Sequence, residues 1–547
     1  MKREAAVVVA AFLFAYILPL GYRPLSAPDE LRYAEVPREM LAGGDWIVPH
    51  LDGVRYFEKP VGGYWLVASS MLVFGENAWA VRLPAALATA LAAFVAYRLV
   101  GSVTGCRDAG LIAALLHVTC VEVFIIGTTN LLDATFTGFV TAALGTFWFA
   151  WRQPARTRRL WLMIGFGALC GCAVLVKGFL GVVIPAVVIA PFLAWQRCWR
   201  DLFTMPWIPL VAAIAVVAPW GIAIGVREPD FWRYFFWEEH IQRFVGGGLA
   251  QHPEPWWYFG IVIVGGALPW TVCWPAVVAG LRRAGLGQPI LPYCVCWLVG
   301  PLLLFSASSG KLEPYVLPCF PPLAMLTAIG LIEHARSTGC RRRPFDYAIA
   351  GLIVAVLLVV VVDTQLDVIG TFFFGPGQQW RLLLLAGGLA MSLGLVLAAI
   401  SATTPNRRIL LSVLATVGIF AAGHFLVPLK LAKPSQFPVA MIRANADLVD
   451  EQTLLVADPY LVHAVAWVFK RDDVHLLTDA GELAYGLQAD ETQTRGPHVE
   501  PRDIRRLLDD VLPERRVVVF TRHRTILAAT DPTDTRGAEG LWILEFE

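Results

Sequence analysis

A polar stretch close to the start of the chain gathers the residue types that proton transfer and anion binding need. Pro28-Asp29-Glu30-Leu31-Arg32-Tyr33 is followed by Glu35, Arg38 and Glu39, and then by Tyr56-Phe57-Glu58-Lys59-Pro60. Asp29, Arg32 and Glu35 recur at helical spacing and give a short helix one polar face, while Tyr33 and Val36 fall on another. Carboxylates on such a face can take a proton or orient a substrate, and a nearby lysine or arginine can bind an anion. The structural alternative is a solvated loop whose charges pair among themselves. Twelve charges between Arg23 and Lys59, in a half of the chain otherwise poor in charge, weigh against it.

Three later stretches carry similar chemistry. Residues 230–244 (DFWRYFFWEEHIQRF) pack seven aromatics with Arg233, Glu238, Glu239, His240 and Arg243. An interfacial aromatic belt accounts for the rings but not for the Glu-Glu-His-Ile-Gln-Arg cluster. Lys311-Leu-Glu-Pro-Tyr315 sets two phosphate-competent donors at a helix entrance opened by Pro314. Interfacial snorkelling is the alternative there and at Lys177. Asp133 follows Thr128-Thr129-Asn130 at the start of an apolar run, where helix capping competes with a catalytic role. Residues 60–75 (PVGGYWLVASSMLVFG) are apolar but short for a span, as an interfacial or re-entrant helix would be.

Membrane spans carry these residues. Of 547 residues, 57% are hydrophobic and only 16% charged, with a mean hydropathy of +0.60. Soluble domains carry about 25% charged residues, and a single soluble core stops growing near 250–300 residues. Thirteen apolar runs of near-spanning length lie at 4–22, 79–100, 109–126, 133–151, 160–176, 178–195, 206–225, 257–281, 289–306, 314–333, 346–364, 381–401 and 409–428. Only Lys177 and Gly178 separate the fifth from the sixth. The first lacks a small-residue cleavage site and reads as a span rather than a signal peptide.

Loops on one side of this arrangement hold seventeen lysines and arginines and almost no acids, which makes that side cytoplasmic. Loops 23–78, 127–133, 226–256 and 307–313 then face outward, and so does the tail. Residues 428–547 hold 34 of the 87 charged residues and none of the ten cysteines. They alternate β-rich runs (453–457, 474–478, 516–521, 541–546) with helical patterns (438–448, 502–512), the pattern of a small α/β domain. The division is a transmembrane catalytic domain over 1–428, with external loops 23–78 and 226–256, and an α/β domain over 429–547. A net charge of +1 gives no footprint for nucleic acid. No Walker A, GxGxxG or HExxH pattern supports a nucleotide-driven process.

Taken in order, Pro28-Asp29-Glu30, Tyr56-Phe57-Glu58-Lys59-Pro60, Pro255-Trp256-Trp257-Tyr258, Leu268-Pro269-Trp270 and Lys311-x-x-x-Tyr315-x-Leu317-Pro318 resemble the protein O-mannosyltransferase superfamily. Its members are multi-spanning, lipid-linked glycosyltransferases of the C-type fold. Asp-Glu-x-Arg-Tyr together with Tyr-Phe-Glu-Lys-Pro most resembles the bacterial undecaprenyl-phosphate aminoarabinose transferases that modify lipid A. The resemblance covers the membrane half; Val61-Gly62 departs from it where a second proline is expected.

That resemblance implies a polytopic α-helical membrane protein of the C-type glycosyltransferase fold, with about 13 transmembrane helices and a small C-terminal α/β periplasmic domain. It implies an inner-membrane enzyme with a periplasmic active site among membrane lipids. The donor would be 4-amino-4-deoxy-L-arabinose on undecaprenyl phosphate, and the acceptor a lipid A phosphate, with inversion at the anomeric carbon. Lys59 and Arg243 would face the leaving phosphate, supported by Tyr315 and Lys311. Asp29 and Asp133 would be the catalytic carboxylates. A hydroxyl acceptor would need Asp29 as base, whereas a phosphate acceptor is already ionised and would need it only for orientation, or to bind the sugar amine. Glu30, Arg32, Tyr33 and Tyr56 would line the substrates. Glu58 and His240 could share a divalent metal such as zinc. Two other readings remain: a transferase acting from the same carrier on protein or another envelope polymer, and, more distantly, a transporter. A transporter is disfavoured because the apolar runs are almost free of charge.

Overall fold

A bilayer offers no hydrogen-bond partners, so an apolar run of 18 residues or more folds as a helix that satisfies its own backbone. The computed structural model describes residues 2–242, 253–338, 379–426, 434–477, 480–489, 504–512, 514–538 and 540–547. Among them six helices have the length and composition to cross a membrane: Glu4–Gly21, Ala78–Thr104, Arg156–Lys177, Trp199–Arg227, Glu313–Ser337 and Pro405–His424. Two expected spans are broken. Arg107–Val118 meets Val121–Gly127 at 69°, and Tyr258–Gly266 meets Trp270–Ala284 at 92°. The second bend falls at Leu268-Pro269, where proline has no N–H to continue the ladder. Shorter apolar helices cover Gly62–Phe74, Leu180–Trp195, Ile290–Ser306 and Gly387–Ser401. The helix Leu132–Trp151 has 20 residues. The run near 346–364 lies outside the described residues. The described helices therefore make this a polytopic helical membrane protein.

The chain divides into two compact units. One comprises Met1–Leu20, Arg82–Ile222 and Trp232–Val427; the other comprises Gly21–Val81, Ala223–Phe231 and Pro428–Glu547.

In the first unit, helices approach closely where side chains are smallest. A Cβ at Gly280 would lie 1.9 Å from the Gly330 carbonyl oxygen, so Trp274–Ala284 and Phe320–Thr338 meet backbone to backbone. Elsewhere rings fill the interior: Trp148, Tyr293 and Phe192 pack together, and the Tyr293 hydroxyl donates to the Leu144 carbonyl at 2.8 Å. Helix Arg156–Lys177 ends at Gly178, whose φ of 70° few other residues adopt, and the next helix starts at Leu180.

The second unit joins the long loop after the first span to the C-terminal tail. Helix Asp29–Gly43 leads into a hairpin of β1 (His50–Leu51) and β2 (Val54–Arg55), followed by helix Gly62–Phe74. Asp52 and Gly53 turn that hairpin with φ of 53° and 79°, the two positive values of a type I′ turn. The tail contributes a five-stranded mixed sheet of β3 (Leu454–Ala457), β4 (His475–Leu476), β5 (Val517–Thr521), β6 (Asp534–Ala538) and β7 (Leu541–Phe546), in the order β4-β3-β5-β7-β6. β3 runs parallel to β4 and β5, whereas β7 is antiparallel to β5 and β6. Every residue of β3 and β5 is buried, as central strands covered on both faces must be. Leu454, Val456, Val517, Val519, Ile504 and Leu508 form much of that core.

Candidate active site

Helix Asp29–Gly43 sets the first cluster, within the second unit. Glu30 reaches back to Ser26, accepting from its N–H at 3.0 Å and its hydroxyl at 2.9 Å, and so fixes the helix start. Arg32, one turn on from Asp29, is 8% exposed and pairs with both Asp29 and Glu482 of the tail. Its guanidinium lies 4.9 Å from the centre of the Tyr33 ring. The Asp29 side chain remains 54% exposed and is accessible to a substrate. Tyr56 is buried, with its hydroxyl 3.2 Å from the Glu482 carboxylate and 3.4 Å from that of Glu58. Burial pushes its phenol pKa upward, with the Glu58 charge adding to the effect, so Tyr56 acts as a neutral donor. The Lys59 ammonium donates to the Glu58 carbonyl at 3.0 Å and lies 3.8 Å from the Glu58 carboxylate. The result is a cationic and phenolic group set beside a half-exposed carboxylate, able to bind an anion and orient a second substrate.

The tail completes this cluster through more than Glu482. Asp458, fully buried at the end of β3, accepts from the Tyr460 and Leu461 N–H groups at 3.1 and 3.2 Å. That turn aims the Tyr460 hydroxyl at the Ala27 carbonyl, 2.9 Å away and two residues before Asp29. Arg55 pairs with Glu228 and lies 3.6 Å from Asp230, which also accepts from Tyr485.

The second cluster lies within the first unit, at helix ends. Asp133, in the first turn of Leu132–Trp151, pairs with Lys177, the last residue of Arg156–Lys177. Asp133 is thus an ion-pair partner rather than a bare helix cap, and the Lys177 ammonium stands 4.6 Å from the centre of the Tyr315 ring. Glu122 is 8% exposed, and one of its carboxylate oxygens has no donor among the described residues. It feels the charges of Glu313 and Asp133, while Tyr258 hydrogen-bonds to Glu313. Lys311 is 4% exposed and donates to the Glu254 and Ser308 carbonyls at 2.9 and 2.5 Å, which leaves one of its three N–H groups for a ligand.

Of the residues singled out from sequence, Asp29, Glu30, Arg32, Tyr33, Tyr56, Glu58 and Lys59 fall in the first cluster, and Asp133, Lys177, Lys311 and Tyr315 in the second. His240 belongs to the helical segment Tyr234–Gln242, but its side chain, like all of Arg243, lies outside the described residues. Sequence reasoning missed Glu482, Tyr460, Glu122 and Glu313. Glu122 alone left a readable sign, as a lone acid inside an apolar run.

Two family models match the chain. One, for dolichyl-phosphate-mannose-protein mannosyltransferases, covers residues 4–235, and one for the C-terminal domain of the arabinosyl transferase ArnT covers residues 434–535. A protein of Shewanella sediminis named undecaprenyl phosphate-alpha-4-amino-4-deoxy-L-arabinose arabinosyl transferase is 34% identical over 99% of this chain and 97% of its own length. The chain belongs to this arabinosyl transferase family. An Aeromonas salmonicida member is 37% identical over 90% of each chain. The crystal structure of ArnT from Cupriavidus metallidurans bound to undecaprenyl phosphate superposes with a TM-score of 0.79 at 23% identity, covering 99% of this chain and 97% of that one. The fold is therefore that of a C-type glycosyltransferase, and the protein is a membrane glycosyltransferase.

Proposed function

We propose that this arabinosyl transferase moves 4-amino-4-deoxy-L-arabinose from undecaprenyl phosphate to a lipid A phosphate on the periplasmic face of the inner membrane. The observation that carries the reading is the full-length match to relatives named for that donor. In this reading a lipid A phosphate oxygen attacks the anomeric carbon, the bond from that carbon to the carrier phosphate breaks, and undecaprenyl phosphate leaves with inversion at the sugar. A phosphomonoester has its second pKa near about 6, so the nucleophile arrives ionised and needs no general base.

Charge develops on the leaving carrier phosphate, and fixed cations aimed at it are the largest lever on such a barrier. Lys59 and Arg243 are our candidates for that role, with Tyr315 and Lys311 in support. Asp29 orients the acceptor or holds the sugar's ammonium, steadied by Arg32. Asp133 pairs with Lys177, which it holds beside the Tyr315 ring. Glu30 holds the helix start through Ser26, the Tyr33 ring lies against the Arg32 guanidinium, and Tyr56 donates a neutral hydrogen bond, all three lining the substrates. A divalent metal would be held by Glu58 and His240. Glu58 offers a buried carboxylate, but the Lys59 ammonium 3.8 Å away already meets its charge, and no step above runs through a metal.

Thirteen spans, with residues 429–547 outside, complete the proposal. Expression in a strain lacking its own enzyme should add the mass of one or two aminoarabinose groups to lipid A. Unmodified lipid A beside normal membrane levels of the protein would refute the acceptor. The mannosyltransferase match over residues 4–235 supports a second reading, transfer to protein, which the same strain tests through its envelope glycoproteins. An alkaline phosphatase fusion after Pro434 should be active and one after Thr157 inactive; the reverse pattern would overturn the orientation.

A further inference from the structure

Helix Asp29–Gly43 also carries two buried carboxylates further along its length, Glu35 and Glu39. Glu35 and Glu39, one turn apart, meet Asp52 of the hairpin turn, and an oxygen from each of the three lies within 4.8 Å of the other two. All three are buried, at 0%, 9% and 7% exposure. Each carboxylate is held from outside the trio by one protein donor. Arg38 donates to Glu35 Oε1 at 2.5 and 2.8 Å, the Gly53 N–H donates to Glu39 Oε2 at 3.1 Å, and His463 Nδ1 lies 2.7 Å from Asp52 Oδ2. The remaining oxygen of each, Glu35 Oε2, Glu39 Oε1 and Asp52 Oδ1, has no donor among the described residues.

A buried polar atom without a partner is costly, and three of them on three converging carboxylates have one common remedy. We propose that Glu35, Glu39 and Asp52 bind a hard divalent cation of the calcium and magnesium class. The donor set is oxygen alone, which suits those ions rather than thiolate- or imidazole-preferring metals. His463 is the positioning residue: its Nδ1–H holds Asp52, as outer-shell donors hold metal ligands. Arg38 cannot neutralise the trio, since one guanidinium faces three carboxylates and both of its contacts fall on a single Glu35 oxygen.

The turn is built to stay in place. A Cβ at Gly53 would lie 2.4 Å from the Asp472 carbonyl oxygen, so the hairpin is wedged against the tail's own backbone. The cation would thus tie the helix that begins at Asp29 to the hairpin and, through His463, to the tail. It is distinct from any metal at Glu58 and does not rest on the reaction proposed above.

The test uses the full-length protein in detergent, stripped with chelator and titrated with calcium or magnesium alone. Wild type should bind an equivalent that Glu39→Gln and Asp52→Asn lose by tenfold or more. At cation concentrations about a hundredfold above Kd, the wild-type unfolding midpoint should rise by about 5 °C or more. Glu58→Ala should keep both responses, and affinity should climb as pH rises from 6 to 8 because the ion displaces protons. No uptake by wild type at pH 8 would overturn the proposal without any variant. So would uptake that survives Glu39→Gln, or that disappears in Glu58→Ala alone.

Discussion

Glu482→Gln tests how the tail serves the reaction. The substitution keeps the side chain's shape and removes the charge that faces Arg32 and the Tyr56 hydroxyl. Arg32 is 8% exposed, and its other carboxylate partner, Asp29, is half exposed and correspondingly weak. A hydrogen bond to a charged group contributes about 1.5–3 kcal/mol, and the Glu482 side chain, at 29% exposure, sits toward the lower end of that range. A compact unit of this size loses about 2–4 °C of midpoint per kcal/mol, so a fall of roughly 3–8 °C is expected. Arg32 would then be free to bind Asp29 more tightly and withdraw it from substrate, so transfer should fall about tenfold or more. Thermal unfolding of detergent-purified protein reads the first effect and lipid A mass spectrometry the second. A cycle with Tyr56→Phe should show coupling, because the two groups meet at 3.2 Å. A Glu482→Gln protein with wild-type midpoint and wild-type transfer would refute the role given to this contact.

The other expectations concern single contacts. Asp29→Asn should abolish transfer at unchanged membrane level, since the side chain is half exposed and carries little of the fold; full activity would remove it from the reaction. Lys59→Ala should weaken undecaprenyl phosphate binding by about tenfold or more, the value of one charged hydrogen bond to phosphate, as carrier-lipid titration would show. Asp133→Asn or Lys177→Met alone should cut expression and transfer, because each leaves a mostly buried charge without its partner. The double variant should recover much of the expression but not the transfer, and equal expression of all three would argue against a paired role.

The sequence made local features legible and left distant pairings invisible. Gly178 ended a helix where the Lys177-Gly178 break said it would, and residues 60–75 formed the short helix Gly62–Phe74. The runs at 109–126 and 257–281 gave no hydropathic sign of bending, since a bent pair is as apolar as a straight span; Pro269 was the signal at the second. Strand β6 (Asp534–Ala538) escaped because DTRGA has no apolar alternation, and it exists by pairing with β7 at the sheet edge. The hairpin at Asp52-Gly53 went unread, although an Asp-Gly dipeptide is a hairpin signal. Nothing local marks Glu482 as a partner of Arg32, because their 450-residue separation is bridged only by the completed fold.

The second unit's discontinuity bears on how the enzyme is made. Its segments 21–81, 223–231 and 428–547 leave the ribosome first, midway and last. During synthesis Arg32 and Tyr56 emerge hundreds of residues ahead of Glu482, and Asp52 hundreds of residues ahead of His463. A chain stalled before residue 428 would already hold many of its apolar helices in the bilayer, yet its Asp29 helix would lack the groups that fix it. The contacts that hold Arg32 and Tyr56 therefore form only once the last stretch of the chain has been made.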